Sequence, residues 1–285
     1  MAKAADRLAE ARVRYGRMMM TASDSTDPRI GEVFEALPRE DFLPPGPWQM
    51  LIAQRYLETP NADPVHLYQN ALVAIDAERG INNGEPFLHA TWIGAVAPRP
   101  GEIVIHIGAG GGYYTAALAM LVEPGGYVIA FEIEADLAET ARRNLAPYHN
   151  VTLVSGDAVK AKLCPADIIY VNAGVIAPPA HWLAALNSGG RLIFPWRPTP
   201  EIGLTVMATR AHTGFAVQIV GGSWFIPCSG ASDAATSVKT PDLRQARASR
   251  SIVPTADRAP DARATAIYPE VWFSSEGIEV SGPGD

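Results

Sequence analysis

The sequence predicts an α/β protein whose doubly wound, mostly parallel sheet carries helices on both faces. Residues 103–107 are apolar apart from His106, as expected of a strand buried on both sides. Glycines follow at 108, 110, 111 and 112, and the alanine- and leucine-rich stretch 113–121 favours a helix. The next strand candidate, 126–132, ends in Glu132, roughly 20 residues beyond the turn. This order of elements is typical of a nucleotide-binding unit.

The glycine turn narrows the choice of ligand. Glycine adopts positive φ and lets the backbone approach a ligand, while the following helix presents free N–H groups. Tyr113 stands where the pattern G-x-G-x-x-G requires glycine, which disfavours a nicotinamide dehydrogenase. A P-loop is excluded because no Gly-Lys-Ser/Thr follows. The turn and Glu132 together indicate an adenosine-containing cofactor, with a ligand-free tight turn as the less favoured interpretation.

Composition limits the other classes of function. The chain has 285 residues, of which 48% are hydrophobic, and a net charge of −7, which argues against a general nucleic-acid binder. Cys164 and Cys228 are too few for a disulfide framework and lack metal-site spacing. No apolar run has the length of a signal peptide or a membrane span. We therefore expect a reduced, cytoplasmic protein with no metal and no membrane or nucleic-acid partner.

The amino-terminal part of the chain predicts short elements around turns. An amphipathic helix is predicted over residues 1–20 and a second over 30–37, where apolar residues recur at helical spacing. We expect a further helix over 48–56, a turn over 60–64 and a strand over 72–75.

The central part alternates helices and strands. Residues 135–145 form a clearly amphipathic helix pattern, and 151–154 a strand. A fourth strand is predicted over 167–173, a helix over 179–186 that ends in Asn-Ser-Gly-Gly, and a fifth strand over 191–195. Ligands of open α/β sheets bind at the carboxyl ends of such strands.

The carboxyl-terminal part changes character. Residues 204–209 and 215–220 flank a short turn and predict a hairpin of two edge strands. Residues 231–266 are rich in Ala, Ser, Thr, Pro, Asp and Arg, which predicts a linker or loosely packed extension with one short helix near Leu243. Strand character returns over 267–273, and 274–285 is expected to fray.

Several motifs resemble the protein-L-isoaspartate O-methyltransferase family. Pro38-Arg39-Glu40, with Phe42 and Pro44 behind it, resembles the entry segment of that family. Residues 189–195 (Gly-Gly-Arg-Leu-Ile-Phe-Pro) and 224–230 (Trp-Phe-Ile-Pro-Cys-Ser-Gly) are similar to later family segments. The G-x-G-x-G pattern at 108–112 resembles the first motif of S-adenosylmethionine-dependent methyltransferases in general. The resemblance covers residues 28 to 230, approximately.

The resemblance implies a Rossmann-like methyltransferase sheet with an amino-terminal helical extension and an antiparallel carboxyl-terminal hairpin. The implied domains are a helical and substrate-loop region (1–95), an S-adenosyl-L-methionine-binding core (96–230) and an extension (231–285). The implied cofactor-binding residues are Gly108, Ala109, Gly110, Gly112, Glu132, Ile133, Asp157, Ala158 and Asn172. In this assignment the glycines hold the methionyl end, Glu132 the ribose and Asp157 the adenine, although Asp157 also suits a helix or turn cap.

Two departures from the family pattern bear on the site. The implied substrate loop contains Asn82, Asn83, Pro86 and His89, where the family carries Thr-Ile-Ser-x-Pro, so amides replace hydroxyls. Asn-Asn-Gly is also compatible with an ordinary turn. His106 stands where methyltransferases of this type commonly carry an acid that holds the methionyl ammonium. His106 has three possible interpretations. It is a histidine packed at a strand end, a catalytic base or, as the least favoured interpretation, a metal ligand.

The main hypothesis is methyl transfer from S-adenosyl-L-methionine to a carboxylate of a peptide, a protein or a small molecule. A carboxylate is already ionised near neutral pH, so no catalytic residue is assigned. His89 and His106 are the base candidates if the acceptor is not a carboxylate. The alternatives are a methyltransferase with another small-molecule or peptide acceptor, and a cofactor-binding protein without catalysis. The sequence indicates no oligomeric state.

Overall fold

The computed structural model describes residues 2–52 and 54–280. They form two compact units, one drawn from Met1–Gly101 and Ala109–Ser155 and the other from Glu102–Gly108 and Gly156–Asp285. The helices are α1 (Ala2–Ala22), α2 (Arg29–Ala36), α3 (Pro86–Val96), α4 (Tyr113–Leu121), α5 (Ala135–Asn144), α6 (Ala180–Ala185) and α7 (Leu243–Ala248).

The strands are β1 (Gln49–Ile52), β2 (Arg55–Glu58), β3 (Leu72–Asp76), β4 (Ile81–Asn82), β5 (Ile103–Ile107), β6 (Tyr127–Glu132), β7 (Val151–Ser155), β8 (Ala166–Val171), β9 (Leu186–Thr199), β10 (Ile202–Arg210), β11 (Phe215–Gly222), β12 (Ser251–Pro254), β13 (Ala264–Ile267) and β14 (Val271–Ser274). Short 3-10 turns lie at Arg39–Phe42, Pro64–Leu67 and Ala234–Thr236. No helix within residues 2–52 and 54–280 is long and apolar enough to cross a membrane.

The first unit begins with the predicted helix pair. Tyr15 and Met19 are fully buried on α1, one helical turn apart, so they form one apolar stripe. Tyr15 meets Phe34 of α2 edge to face, with ring centroids 6.0 Å apart. Both amino-terminal helix predictions are therefore confirmed.

The helix predicted over residues 48–56 is wrong. The segment forms the antiparallel hairpin β1–β2, in which Met50 lies opposite Leu57. Trp48 and Met50 are both buried while Gln49 is exposed, which is the two-residue period of a strand. Gln54 adopts a φ of 63° at the turn. The first unit holds the strand order β2-β1-β3-β4 and the parallel pair β6–β7.

The second unit contains the strand order β13-β14-β12-β11-β10-β9-β8-β5. The pairs β5–β8 and β8–β9 are parallel, whereas β9, β10, β11, β12, β14 and β13 pair antiparallel in succession. The α/β class is confirmed, and the sheet is mixed. β5 has the predicted bounds, and its residues from Val104 to Ile107 are buried, as its apolar composition requires.

The hairpin and the fifth strand differ from their predictions in extent. β10 and β11 form the predicted hairpin, but β11 is not an edge strand because Phe215 and Ala216 pair with β12. The Asn-Ser-Gly-Gly segment predicted to end a helix lies within β9, at a register shift against β8. Gly189 adopts a φ of 71° there, which suits an irregular strand start as well as a helix end.

The prediction of a linker or loose extension over 231–266 is also wrong. β12 and β13 lie in this segment, and Ile252 and Ala266 are fully buried. Val238 and Leu243 are exposed, but Val253 is buried like Ile252. Alanines such as Ala246 and Ala264 are buried as well, so average composition underestimates the packing of the segment. The short helix near Leu243 is confirmed as α7, whose Asp242 and Gln245 form a capping box. Part of the fraying prediction, residues 281–285, lies outside the described residues.

Candidate active site

The glycine turn is fastened to the end of β6. The Gly110 N–H donates to Glu132 Oε2 at 2.7 Å, and the Glu134 N–H donates to Glu132 Oε1 at 3.0 Å. The Ala109 N–H donates to the Phe131 carbonyl at 3.0 Å. One buried side chain therefore fixes both the turn and the start of α5.

Glu132 is chemically suited to a further hydrogen bond. Only 5% of it is exposed, and burial raises its pKa, while backbone N–H groups of residues 134, 110 and 133 act in the opposite direction. A carboxylate has about four lone-pair sites, of which the backbone N–H groups of Gly110, Ile133 and Glu134 use three. Capacity remains for hydroxyl donors such as those of a ribose.

The three glycines of the first unit's turn serve different purposes. A Cβ on Gly111 would lie 2.7 Å from the Phe42 carbonyl oxygen, and one on Gly112 would lie 2.9 Å from the Leu145 side chain. These two glycines permit close packing. Gly110, with a φ of 55°, has nothing within 4 Å of its would-be Cβ. This open space at the start of α4 suits the close approach of a ligand.

In the second unit, β5 and β8 bring His106 and Asn172 together. Asn172 Nδ2 lies 2.8 Å from His106 Nε2, and the Asn172 N–H donates to the Ile107 carbonyl at 2.8 Å. Gly108, with a φ of 82°, lies against Asn172, since a Cβ there would be 3.4 Å from the Asn172 Cβ. Asn172 Oδ1 is buried and has no hydrogen-bond partner among the described residues.

His106 is a buried neutral imidazole. It is fully buried, and desolvation lowers its pKa to about 3. Its ring meets the Tyr170 ring edge to face, at 5.5 Å between centroids. The packed-histidine interpretation fits this environment. Within the described residues, no group of three or more His, Cys, Asp or Glu side chains could hold a metal ion.

Asp157 caps its own turn. Its Oδ1 accepts from the Val159 N–H at 2.9 Å, and its Oδ2 lies 3.3 Å from Lys160 Nζ. The neighbouring Ala158 is buried, and its carbonyl accepts from Trp182 Nε1 at 3.1 Å. Ile133 in the first unit is 46% exposed. The cap explains Asp157 without a ligand, so its contact with adenine stays a prediction.

In the predicted substrate loop, the asparagine side chains form hydrogen bonds with nearby backbone groups. Asn82 Oδ1 accepts from the Gly84 N–H at 3.0 Å, and Asn83 Oδ1 accepts from the Val73 N–H at 3.0 Å. Asn83 also donates its own N–H to the Val73 carbonyl at 3.0 Å. The Asn82 oxygen is therefore engaged within the turn, as the ordinary-turn interpretation expects, and the Asn83 oxygen fastens the turn to β3.

His89 supports this loop from below. Pro86 begins α3, and His89, one turn later, is 1% exposed. The His89 ring stacks on Tyr114 of α4 with centroids 3.6 Å apart. A Cβ on Gly84 would lie 2.4 Å from His89 Nε2, so the loop requires glycine at that position.

Arg39 and Tyr114 are supporting residues that the sequence did not reveal. Arg39 is fully buried, and its guanidinium donates to the carbonyls of Leu67, Gln69 and Ala71. It braces the segment that precedes β3. The tyrosine pair at 113–114 and the arginine of the Pro-Arg-Glu-Asp segment were the available signals, but neither indicates a partner without the fold.

A parallel strand, a glycine turn opening at Gly110 and a buried carboxylate at the end of β6 define the class of α/β proteins that bind adenosine-containing cofactors. Residues 18–233 match the family model of protein-L-isoaspartate (D-aspartate) O-methyltransferase. The chain therefore belongs to the protein-L-isoaspartate O-methyltransferase family.

Curated relatives and solved structures agree with this placement. The chain is 32% identical to the Methylorubrum extorquens protein-L-isoaspartate O-methyltransferase, covering 77% of this chain and 88% of that one. It is 31% identical to the Aeropyrum pernix enzyme of that name, covering 74% and 75%. A solved protein-L-isoaspartate O-methyltransferase shares the fold at a TM-score of 0.67 and 22% identity, covering 85% of this chain and 73% of that one.

A Plasmodium falciparum structure described as the same type of methyltransferase was solved in complex with S-adenosyl-L-homocysteine. It matches at a TM-score of 0.59 and 18% identity, covering 77% of this chain and 97% of that one. At these identities the two structures support the fold, while the sequence matches establish the family.

Proposed function

We propose that this chain uses S-adenosyl-L-methionine to methylate a carboxylate, with an isoaspartyl residue of a peptide or protein as the first acceptor to test. The family match over residues 18–233 and the names of the curated relatives support this proposal. The observation that carries it is the hydrogen bond from the Gly110 N–H to Glu132, which shapes an open glycine turn beside a buried carboxylate.

The residues of each unit fit parts of such a cofactor. In the first unit, Gly110 leaves space for the methionyl end, Glu132 retains lone pairs for ribose hydroxyls, and exposed Ile133 offers an apolar surface to a purine. In the second unit, Gly108 begins the turn and Asp157 offers a carboxylate to the adenine amine. These roles are proposals for this chain.

Methyl transfer to a carboxylate requires little acid–base catalysis from the protein. When bound, S-adenosyl-L-methionine supplies an activated methyl group on a sulfonium. A carboxylate acceptor is ionised near neutral pH, so the chain has no proton to remove and its residues must align the acceptor and exclude water. The histidines agree with this, because His89 is stacked and buried and His106 is neutral with Nε2 in a hydrogen bond.

One observation favours a second candidate, transfer to a different carboxylate acceptor. The Asn82 side-chain oxygen is engaged within the loop and the Asn83 side-chain oxygen with Val73 of β3. Recognition through this loop would therefore depend on backbone groups and amide N–H groups, a different set from the family's hydroxyls. The cofactor and the carboxylate chemistry are unchanged in this candidate.

The test combines binding and transfer. Calorimetric titration with S-adenosyl-L-homocysteine should show binding to the wild type and weaker binding to Glu132→Ala. Radiolabelled methyl transfer to an isoaspartyl peptide, with the matching aspartyl peptide as control, should yield an alkali-labile ester. Binding without transfer to the isoaspartyl peptide would favour the second candidate, and absence of binding would contradict the proposal.

The expected setting of the enzyme is the cytoplasm. The two cysteines of the chain, Cys164 and Cys228, are both free, in keeping with a reduced environment. This location remains a proposal, to be checked by cell fractionation.

A further inference from the structure

His106 occupies the position in the first motif where methyltransferases of this type commonly carry an acid. A neutral imidazole has no negative charge with which to attract an ammonium. Asn172 supplies a different acceptor at the same place. Its Nδ2 can only donate, so the 2.8 Å contact makes His106 Nε2 the acceptor and places the imidazole proton on Nδ1. The amide is thereby held in one orientation.

That orientation leaves the amide oxygen unused. Asn172 Oδ1 is withdrawn from solvent and has no hydrogen-bond partner within residues 2–52 and 54–280. A buried acceptor without a donor is costly, and native structures rarely keep one without a reason. A ligand that brings an N–H donor would satisfy it.

The surroundings of Asn172 indicate which donor. The residue lies against Gly108, the first glycine of the turn. A Cβ added to Gly108 would lie 3.4 Å from the Asn172 Cβ. Its backbone is fixed by the 2.8 Å hydrogen bond to the Ile107 carbonyl, so the side chain starts from a defined place at the end of β8. The methionyl end of the proposed cofactor carries an ammonium with three N–H donors.

We propose that Asn172 Oδ1 accepts a hydrogen bond from the methionyl ammonium of the cofactor, and that His106 is the positioning residue that orients the Asn172 amide for this contact. The inference rests on the proposed function, because it concerns one group of the same cofactor. It assigns to a histidine–asparagine pair the task that an acid performs elsewhere in the family.

The experiment compares two nucleosides by calorimetric titration of the full chain. S-adenosyl-L-homocysteine carries the ammonium, whereas 5′-methylthioadenosine has the same adenosine but no amino-acid group. Asn172→Ala should weaken the binding of S-adenosyl-L-homocysteine at least tenfold. Its affinity for 5′-methylthioadenosine should stay within twofold of the wild-type value. Asn187→Ala is the matched control, because Asn187 is another part-buried amide with one hydrogen bond, at 2.8 Å to Asp167.

Variants of His106 test the positioning role. His106→Leu removes the acceptor of the Asn172 amide and should weaken only S-adenosyl-L-homocysteine. His106→Gln, whose Oε1 extends about as far as the histidine Nε2 and can accept from Asn172, should restore most of that affinity, which a merely structural loss would not explain. Circular dichroism of each variant establishes that it is folded.

Three results would overturn the inference. Unchanged S-adenosyl-L-homocysteine affinity in Asn172→Ala would show that the amide oxygen makes no contact. An equal loss for both nucleosides would show that Asn172 supports the turn and not the ammonium. Failure of the wild type to bind either nucleoside would remove the proposed function itself, and this inference with it.

Discussion

His89 stacks face to face on Tyr114, with the ring centroids 3.6 Å apart and the ring planes at 16°. The pair joins α3 to α4, and the Tyr114 hydroxyl donates to the Gly84 carbonyl at 3.5 Å. The predicted substrate loop is therefore held against the helix that follows the glycine turn. Stacking and the asparagine hydrogen bonds therefore fix the conformation of this loop within the first unit.

Gly84→Ala should damage this arrangement. Gly84 has a φ of 76°, and a Cβ there would lie 2.4 Å from His89 Nε2. The backbone strain and the clash together should lower the free energy of unfolding by about 3 kcal/mol. Gly80→Ala is the matched control, because Gly80 has a φ of 68° but open space, and should cost only about 1 kcal/mol. Equal losses in urea denaturation would contradict the role assigned to His89.

Glu132→Ala should loosen the glycine turn. It removes the acceptor of the Gly110 and Glu134 N–H groups, and we expect a loss of about 2–3 kcal/mol in the free energy of unfolding. Glu132→Gln keeps one acceptor oxygen and should lose less. Glu134→Ala is the control, since Glu134 forms an exposed ion pair with Arg79 and should cost under about 1 kcal/mol. If Glu132→Ala matched that control, the turn would not depend on the carboxylate.

His106 should make stability depend on pH. Burial lowers its pKa to about 3, whereas an unfolded histidine titrates near 6.5. Below about pH 6.5, His106 is protonated in the unfolded chain but stays neutral in the folded chain. This group therefore lowers the free energy of unfolding by about 1.4 kcal/mol for each unit by which the pH falls. Above that pH the group contributes no dependence.

The comparison of wild type with His106→Asn isolates this effect from the carboxylates, which titrate in both proteins. Denaturant melts between about pH 4 and 6 should show a shallower decline in the variant. Parallel curves would mean that His106 is protonated in the folded protein.

Phe273→Ala should show that the carboxyl-terminal extension is part of the second unit's core. Phe273 stacks on Trp196 with centroids 4.0 Å and planes 3° apart, and both residues are fully buried. Truncation should lower the free energy of unfolding by about 3–5 kcal/mol. Val238→Ala is the control in the same extension, because Val238 is 72% exposed, and it should change stability by under about 0.5 kcal/mol. Similar small effects would indicate a dispensable extension.

Arg39→Lys should be destabilising although it keeps the charge. The guanidinium reaches three carbonyls, at Leu67, Gln69 and Ala71, and an ammonium cannot span them. We expect a loss of about 2–3 kcal/mol because buried carbonyls lose their donors. Arg14→Lys, at an exposed position on α1, should fall within about 0.5 kcal/mol of the wild type. Similar stability of the two variants would exclude the brace.

Elements with strong local signals were predictable from the sequence. β5 and α4 have the bounds that the apolar run and the alanine-rich stretch indicate, because burial on all sides requires continuous apolar composition. The helix prediction for residues 48–56 was wrong because the apolar residues of this segment fit a helix as well as a hairpin. Only the pairing of Met50 with Leu57 and the docking of β1 on β3 decide between them.

The sequence by itself determined the α/β class, the family, the glycine turn and the position of Glu132 after the next strand, since these depend on residue order and spacing. The tertiary structure decided what those residues contact. It placed Gly110 on the Glu132 carboxylate, kept His106 neutral by burial, and engaged the Asn83 oxygen with Val73 of β3. Hydrogen-bond partners and desolvation come from segments far apart in the chain, so no local pattern specifies them.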